Sequence, residues 1–164
     1  MKLSLKNLAL CGAVATMLAA CGGGDAPTTT DLSSSATVSA ATDTTLNGVY
    51  STPTTGLSDV QKIRRVGAND ACEFTFDALV KTGSSTVSMR GTIDYTVDAA
   101  TLSGLAIGIN NVFYSTDNGS GTVVDRAANQ VRFTAKLLDS DAVDTNTLMV
   151  TGSLPMRGNR PGGC

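Results

Sequence analysis

Residues 87–97 read VSMRGTIDYTV, in which Val87, Met89, Gly91, Ile93, Tyr95 and Val97 alternate with Ser88, Arg90, Thr92, Asp94 and Thr96. Side chains on a β-strand point to opposite faces in turn, so a two-residue period predicts a strand with one buried and one wet face. The period returns in CEFTFDAL with Cys72, Phe74 and Phe76 inward, and in VRFTAKL with Val131, Phe133, Ala135 and Leu137 inward. It returns again in LMVTGSLPM, with Leu148, Val150, Gly152, Leu154 and Met156 inward. KTGSS, DAAT, DNGSG and AANQ separate these runs, and the Asn-Asn pair of INNV tolerates the positive φ angles of a tight hairpin. Short strands at hairpin spacing predict an all-β fold, a small antiparallel β-sandwich or barrel of about seven or eight strands.

One segment departs from this period. GLSDVQKIRRVG offers Ser58 as an N-cap with Gln61 three residues on, apolar Leu57, Val60, Ile63 and Val66, and Gly67 as a stop. That pattern predicts a short helix over 58–66, with insertion of KIRRV into the sheet as the alternative. Pro155 predicts that the last strand lies at a sheet edge, because proline cannot donate to a ladder. With three Tyr, four Phe and no Trp, the core must come mostly from Val, Ile, Leu and Met. A transmembrane barrel is disfavoured, since its strands run to about nine to eleven residues and carry aromatic girdles.

Upstream, Lys2 and Lys6 precede the apolar run LALCGAVATMLAA (8–20), which has the layout of an export signal. The run is shorter than the roughly 20 residues a membrane-spanning helix needs. It ends at Leu18-Ala19-Ala20-Cys21, with Gly22, Gly23 and Gly24 beyond. This tetrad resembles the lipobox of bacterial lipoproteins. The resemblance implies a signal peptide over 1–20 cut before Cys21, a thioether-linked diacylglycerol on Cys21, and acylation of the new amino group. At about 0.8 kcal/mol per buried CH₂, two or three such chains hold a protein on a membrane stably. Gly22 in place of an Asp after the cysteine implies the outer membrane, on its periplasmic face or at the cell surface. GSLPMRGNRPGGC and ACEFTFDAL are similar to segments of uncharacterised lipoproteins of Gram-negative bacteria, a resemblance that brings no site with it.

Residues 22–45 are nearly all Gly, Ser, Thr, Ala and Asp. Such a composition buries too little apolar surface to offset ordering entropy, so 21–45 is expected to be the lipidated cysteine and a disordered tether. Its coil-like reach is on the order of 25 to 30 Å. The β domain is then expected over 46–164.

With Cys11 leaving in the signal and Cys21 lipidated, Cys72 and Cys164 are the thiols that remain. An exported chain passes through an oxidising compartment, where these two are expected to pair; closing so long a loop is worth about 4 to 5 kcal/mol in the chain-entropy model. Two thiols do not complete a zinc site, and the chain has no His, so neither a metal nor another cofactor is expected. The missing His also removes Ser-His and Cys-His nucleophile activation and the usual general base near neutral pH.

Other motifs read as surface. Glu73, Thr75 and Asp77 share a strand face, but positions four apart lie roughly 13 Å apart, too far for a glycosidase pair. DSDAVDTN (139–146) lacks the central glycine and closing Glu of a calcium loop, and GSGT (119–122) lacks the Lys of a phosphate cradle. Arg64, Arg65, Arg157 and Arg160 form a basic patch only if the tail is drawn near them; otherwise they are scattered charge. Without the signal, ten basic and fourteen acidic residues leave a net charge near −4, which makes nucleic acid an unsuitable partner. The expectation is therefore a noncatalytic, membrane-anchored module serving envelope structure or binding envelope proteins. It would act through Arg90, Asp94, Arg132, Lys136 and loop 139–146, over a core filled by Val87, Ile93, Tyr95, Phe133, Leu137 and Val150. The alternative is a carrier holding a small apolar ligand inside a β-barrel.

Overall fold

A computed structural model describes residues 32–65, 68–142 and 145–164. The expected signal peptide, the expected lipobox and Cys21 lie outside the described residues. The chain is all-β. Its strands are β1 (Ser34–Ser39), β2 (Gly48–Thr52), β3 (Gly56–Leu57), β4 (Gln61–Ile63), β5 (Ala71–Lys81), β6 (Ser88–Thr96), β7 (Leu102–Ile109), β8 (Val112–Thr116), β9 (Thr122–Asp125), β10 (Gln130–Ser140) and β11 (Thr147–Pro155). A 3-10 turn spans Thr44–Leu46.

Neighbouring strands pair antiparallel in the order β1-β2-β5-β6-β7-β8-β10-β11, and β11 pairs back onto β1, so eight strands close into a barrel. Closure removes the free edges that an open sheet must protect. β3 and β4 extend the wall beside β5 below the short β2, and β9 does the same beside β10 below β8. The expected hairpin at Asn110 and Asn111 is present: both residues have positive φ (51° and 64°), and Ile109 pairs with Val112.

The first strand corrects the expected tether. Ser34–Ser39 lies between β2 and β11, with Ala36 and Val38 buried. Its inward residues are small because β11 comes close: a Cβ on Gly152 would lie 2.4 Å from the Ser35 carbonyl oxygen and 2.6 Å from Ala36 Cα. The described domain thus reaches back to Leu32, whose carbonyl accepts from the Thr55 amide at 2.8 Å.

Three further expectations are corrected. Residues 58–66 form no helix in their described part; Gln61–Ile63 is β4, paired with Glu73, Cys72 and Ala71. Because β2 meets β5 only at Lys81 and Val80, the rest of that edge is open, and segment 56–63 fills it. Ser58 accordingly bonds Thr75, accepting its amide at 2.9 Å through Oγ, instead of capping a helix. β11 is not an edge strand: it pairs on both sides, and Pro155 sits past the last residue that β1 pairs.

The third correction reverses a face. In β10 the register shifts between Phe133 and Lys136, where Ala135 takes φ 45° and its amide donates to Thr151 Oγ1 at 3.0 Å. The two residues of this bulge oppose one on β11, so every side chain beyond it changes sides. Lys136 becomes buried (3% exposed) and Leu137 exposed (53%), the opposite of what strict alternation predicts. A similar shift in β5 at Ala78 (φ 69°) turns Leu79 inward.

The interior holds Tyr50, Phe74, Phe76, Leu79, Met89, Ile93, Tyr95, Ile107, Phe133, Leu138 and Val150, all buried. Gly91 faces the same space without a side chain because the Phe76 ring occupies it; a Cβ there would meet that ring at 2.7 Å. In a barrel of about eight strands the interior is just wide enough for side chains to fill.

Candidate functional site

The end of the barrel where β1 begins is also where β2, β6 and β11 end and β5 and β7 begin. The last nine residues cross this end. Cys72, at the start of β5, and Cys164 are joined by a disulfide with Cα atoms 5.6 Å apart. Tyr95 Oη donates to the Cys164 carbonyl at 2.9 Å. Arg126 Nη1 donates to the Gly163 carbonyl at 2.9 Å, and its Nη2 to Asp98 O at 2.8 Å. Arg160 in turn donates to the Arg126 carbonyl at 2.8 Å. The bonds from Tyr95 and Arg126 satisfy the Cys164 and Gly163 carbonyls, and the Arg160 bond ties the tail to the β9–β10 turn. Burial raises the Tyr95 hydroxyl above its ordinary pKa, with the cations Arg160 and Arg126 opposing that shift.

On the outer wall, β5 and β6 bring two carboxylates together. Glu73 lies directly opposite Asp94 in the ladder. Arg65 Nη2 donates to Asp94 Oδ2 at 2.6 Å, and Gly104 on β7 leaves room for the Asp94 side chain; a Cβ there would sit 3.0 Å from Oδ2. Asp94 Oδ1 is buried and has no hydrogen-bond partner. Burial first, and the charge of Asp94 next, push the Glu73 carboxyl above its ordinary pKa, while Arg65 opposes the shift. Reading along β5 finds Glu73, Thr75 and Asp77 on one face but misses this pair, since it depends on the register between two strands.

Beyond Asp94 the wall is hollowed into a groove of about 500 Å³. Its floor is Gly104 and Ala106, and Asp94, Asp117, Asp139 and Asp141 stand along its sides. Among the described residues, no three acidic or thiol side chains converge as a metal site requires. Nearer the far rim, the Arg90 guanidinium lies 5.7 Å from the centre of the Phe113 ring, which spreads over Gly108 between them. Thr86, Ser88, Arg90, Gly108, Asn110 and Asn111 line a smaller hollow of about 230 Å³ there. No family model, curated protein or solved structure matches this chain.

Of the outward residues expected from the sequence, Arg90, Asp94 and Arg132 lie on the outer wall, and Arg132 pairs with Asp125 at 3.4 Å. Lys136 does not. Its Nζ donates to the carbonyls of Asn118 and Ser120 (the latter at 2.9 Å), tying the β8–β9 loop to the barrel, and burial lowers its pKa. Arg64, Arg65, Arg157 and Arg160 do not act as one patch: Arg65 serves Asp94, Arg157 serves Asp59 at 3.5 Å and the Leu57 carbonyl, and Arg160 serves the tail. GSGT is a turn, closed by the Thr122 amide on Gly119 O at 3.3 Å. In loop 139–146, Ser140 N donates to Asn146 O and Asp141 N to Phe113 O, which pins both ends of the loop to the rim.

Proposed function

We propose that this chain is an outer-membrane lipoprotein, anchored through Cys21, whose barrel acts without catalysis by presenting its outer wall and far rim to envelope proteins. The observation that supports this reading is the set of large side chains buried inside the barrel. Tyr50, Tyr95, Phe74, Phe76 and Phe133 converge in a space that a carrier of apolar ligands must leave partly open. A second support is position: the chain enters the fold at Leu32, at the barrel end that the tail crosses, so an anchor upstream would turn that end to the bilayer and the opposite rim outward. Noncatalysis rests on the chemistry of the side chains: the chain has no His, and the carboxylates on the wall are held in ion pairs or spread along the groove.

The test is crosslinking in intact envelopes from photoreactive residues placed at Leu137 and Val123, both exposed, with Cys21→Ser as the unanchored control. The expected result is a discrete protein adduct that depends on Cys21, together with fatty-acid label on the wild type alone. Label retained in Cys21→Ser would remove the anchor. Absence of any protein adduct, with a small apolar molecule copurifying, would favour the carrier.

A further inference from the structure

We propose that the hollow at the far rim beside Arg90 binds an acidic sugar residue. The guanidinium takes its carboxylate or phosphate, and the amides and hydroxyls around it take the ring hydroxyls. The wall leaves Arg90 without a counter-charge on either side. Towards β5 it faces the bulge of Asp77 and Ala78. The Asp77 carboxylate is turned the other way, over Gly56 on β3, in the space a Cβ would take. Towards β7, Arg90 lies opposite Gly108, which has no side chain to offer. Beyond β8, Asp141 accepts from Ser115. Arg90 therefore carries its charge at the surface with no ion pair and no hydrogen bond among the described residues.

The Phe113 ring takes the place such a partner would fill. It reaches from β8 across Gly108, where a Cβ would meet its Cε1 at 2.9 Å, and its centre lies 5.7 Å from Arg90 Cζ. A cation within about 6 Å of a ring centre is attracted to the ring. An ion pair would occupy the guanidinium N–H groups, whereas the ring contact leaves them free. Those donors form a planar fork that matches the oxygens of a carboxylate or phosphate. Arg90 is thus oriented before a ligand arrives, and less side-chain freedom is lost on binding.

The rest of the hollow sets the class of ligand. Ser88, Asn110 and Asn111 line it, and their side chains make no hydrogen bond among the described residues. A hydroxyl or a carboxamide both donates and accepts. Its matching partner is a ligand hydroxyl, which does both, whereas a bare carboxylate only accepts. No acidic side chain lines the hollow. Phe113 is 40% exposed and leaves apolar surface beside the guanidinium for the C–H face of a sugar ring. The volume of about 230 Å³ lies below the roughly 300 to 1,000 Å³ that encloses a drug-sized ligand, so the hollow takes one residue of a saccharide. The site lies at the rim away from the tail-covered end, and its test needs neither an anchor at Cys21 nor a protein partner.

The experiment is an amide NMR titration of the intact protein in mild detergent with glucuronate, glucose 6-phosphate, glucose and acetate. At least one of the two acid sugars is expected to shift the amides of Ser88, Arg90, Gly108 and Asn111 saturably, and the tighter one identifies the acid group that is read. Glucose and acetate are expected to bind about tenfold more weakly or worse. Arg90→Gln, at an exposed position, is expected to weaken the tighter acid sugar by about tenfold or more. Arg90→Lys keeps the charge but loses the fork, and Phe113→Leu removes the ring that orients it; each is expected to weaken binding several-fold. Glucose that binds as tightly as the acid sugars would remove the role of Arg90, and acetate that does so would remove the sugar. Binding unchanged in Arg90→Gln, or no saturable shift at the rim with either acid sugar, would overturn the site.

Discussion

Replacing Gly152 with alanine tests the closure of the barrel at its first strand. The new methyl would lie 2.4 Å from the Ser35 carbonyl oxygen and 2.6 Å from Ala36 Cα, and both atoms belong to the β1 backbone. A flexible side chain could turn aside, but a backbone can yield only by moving out of the ladder that pairs Ala36 with Gly152 and Thr37 with Thr151. Overpacking of a tight site costs about 1 to 3 kcal/mol, and contact with backbone on two atoms puts this one at the upper end, about 3 kcal/mol. For a domain of this size that corresponds to a melting temperature lower by about 10 °C. Thermal unfolding followed by circular dichroism measures it, with Gly162→Ala as control because nothing lies within 4 Å of its added Cβ. If Gly152→Ala melts with the control, β1 does not sit against β11, and 34–39 returns to the tether.

The bulge in β10 predicts opposite outcomes at adjacent leucines: Leu137→Ser, at an exposed site, should change stability by less than about 0.5 kcal/mol, whereas Leu138→Ala, fully buried, should cost about 2 to 5 kcal/mol. Denaturant midpoints that rank the two the other way would restore strict alternation through Ala135. Lys136→Met should show a pH signature. Because burial lowers the Lys136 pKa in the fold, the unfolded chain binds the extra proton between the folded and ordinary values. The wild type therefore gains stability relative to Lys136→Met as pH rises through that window, and a difference independent of pH up to the ordinary lysine range would refute the burial.

Much of this architecture is legible in the sequence, and the exceptions have physical causes. β5, β6 and β11 show their inward faces through alternation of large apolar and polar residues, and the Asn-Asn hairpin declares its turn. β1 hides because its buried residues are Ala36 and Val38 among Ser and Thr, a composition shared with unstructured linkers; the small size that conceals them is what the close approach of Gly152 requires. Segment 58–66 carries a helix pattern that loses to the open edge of β5, a tertiary demand no local window contains. Lys136 and Leu137 exchange faces because one alanine takes a left-handed conformation, which alanine rarely adopts and composition does not announce. Glu73 and Asp94 stand 21 positions apart and meet only through register.

The proposed function requires a barrel filled by its own side chains. Native mass spectrometry of the domain, purified from its host under nondenaturing conditions after release from the membrane, tests it directly. The filled barrel predicts the mass of the polypeptide with its Cys72–Cys164 bond and no retained small molecule. A stoichiometric apolar ligand that survives desolvation and leaves only on unfolding would contradict it and make the protein a carrier.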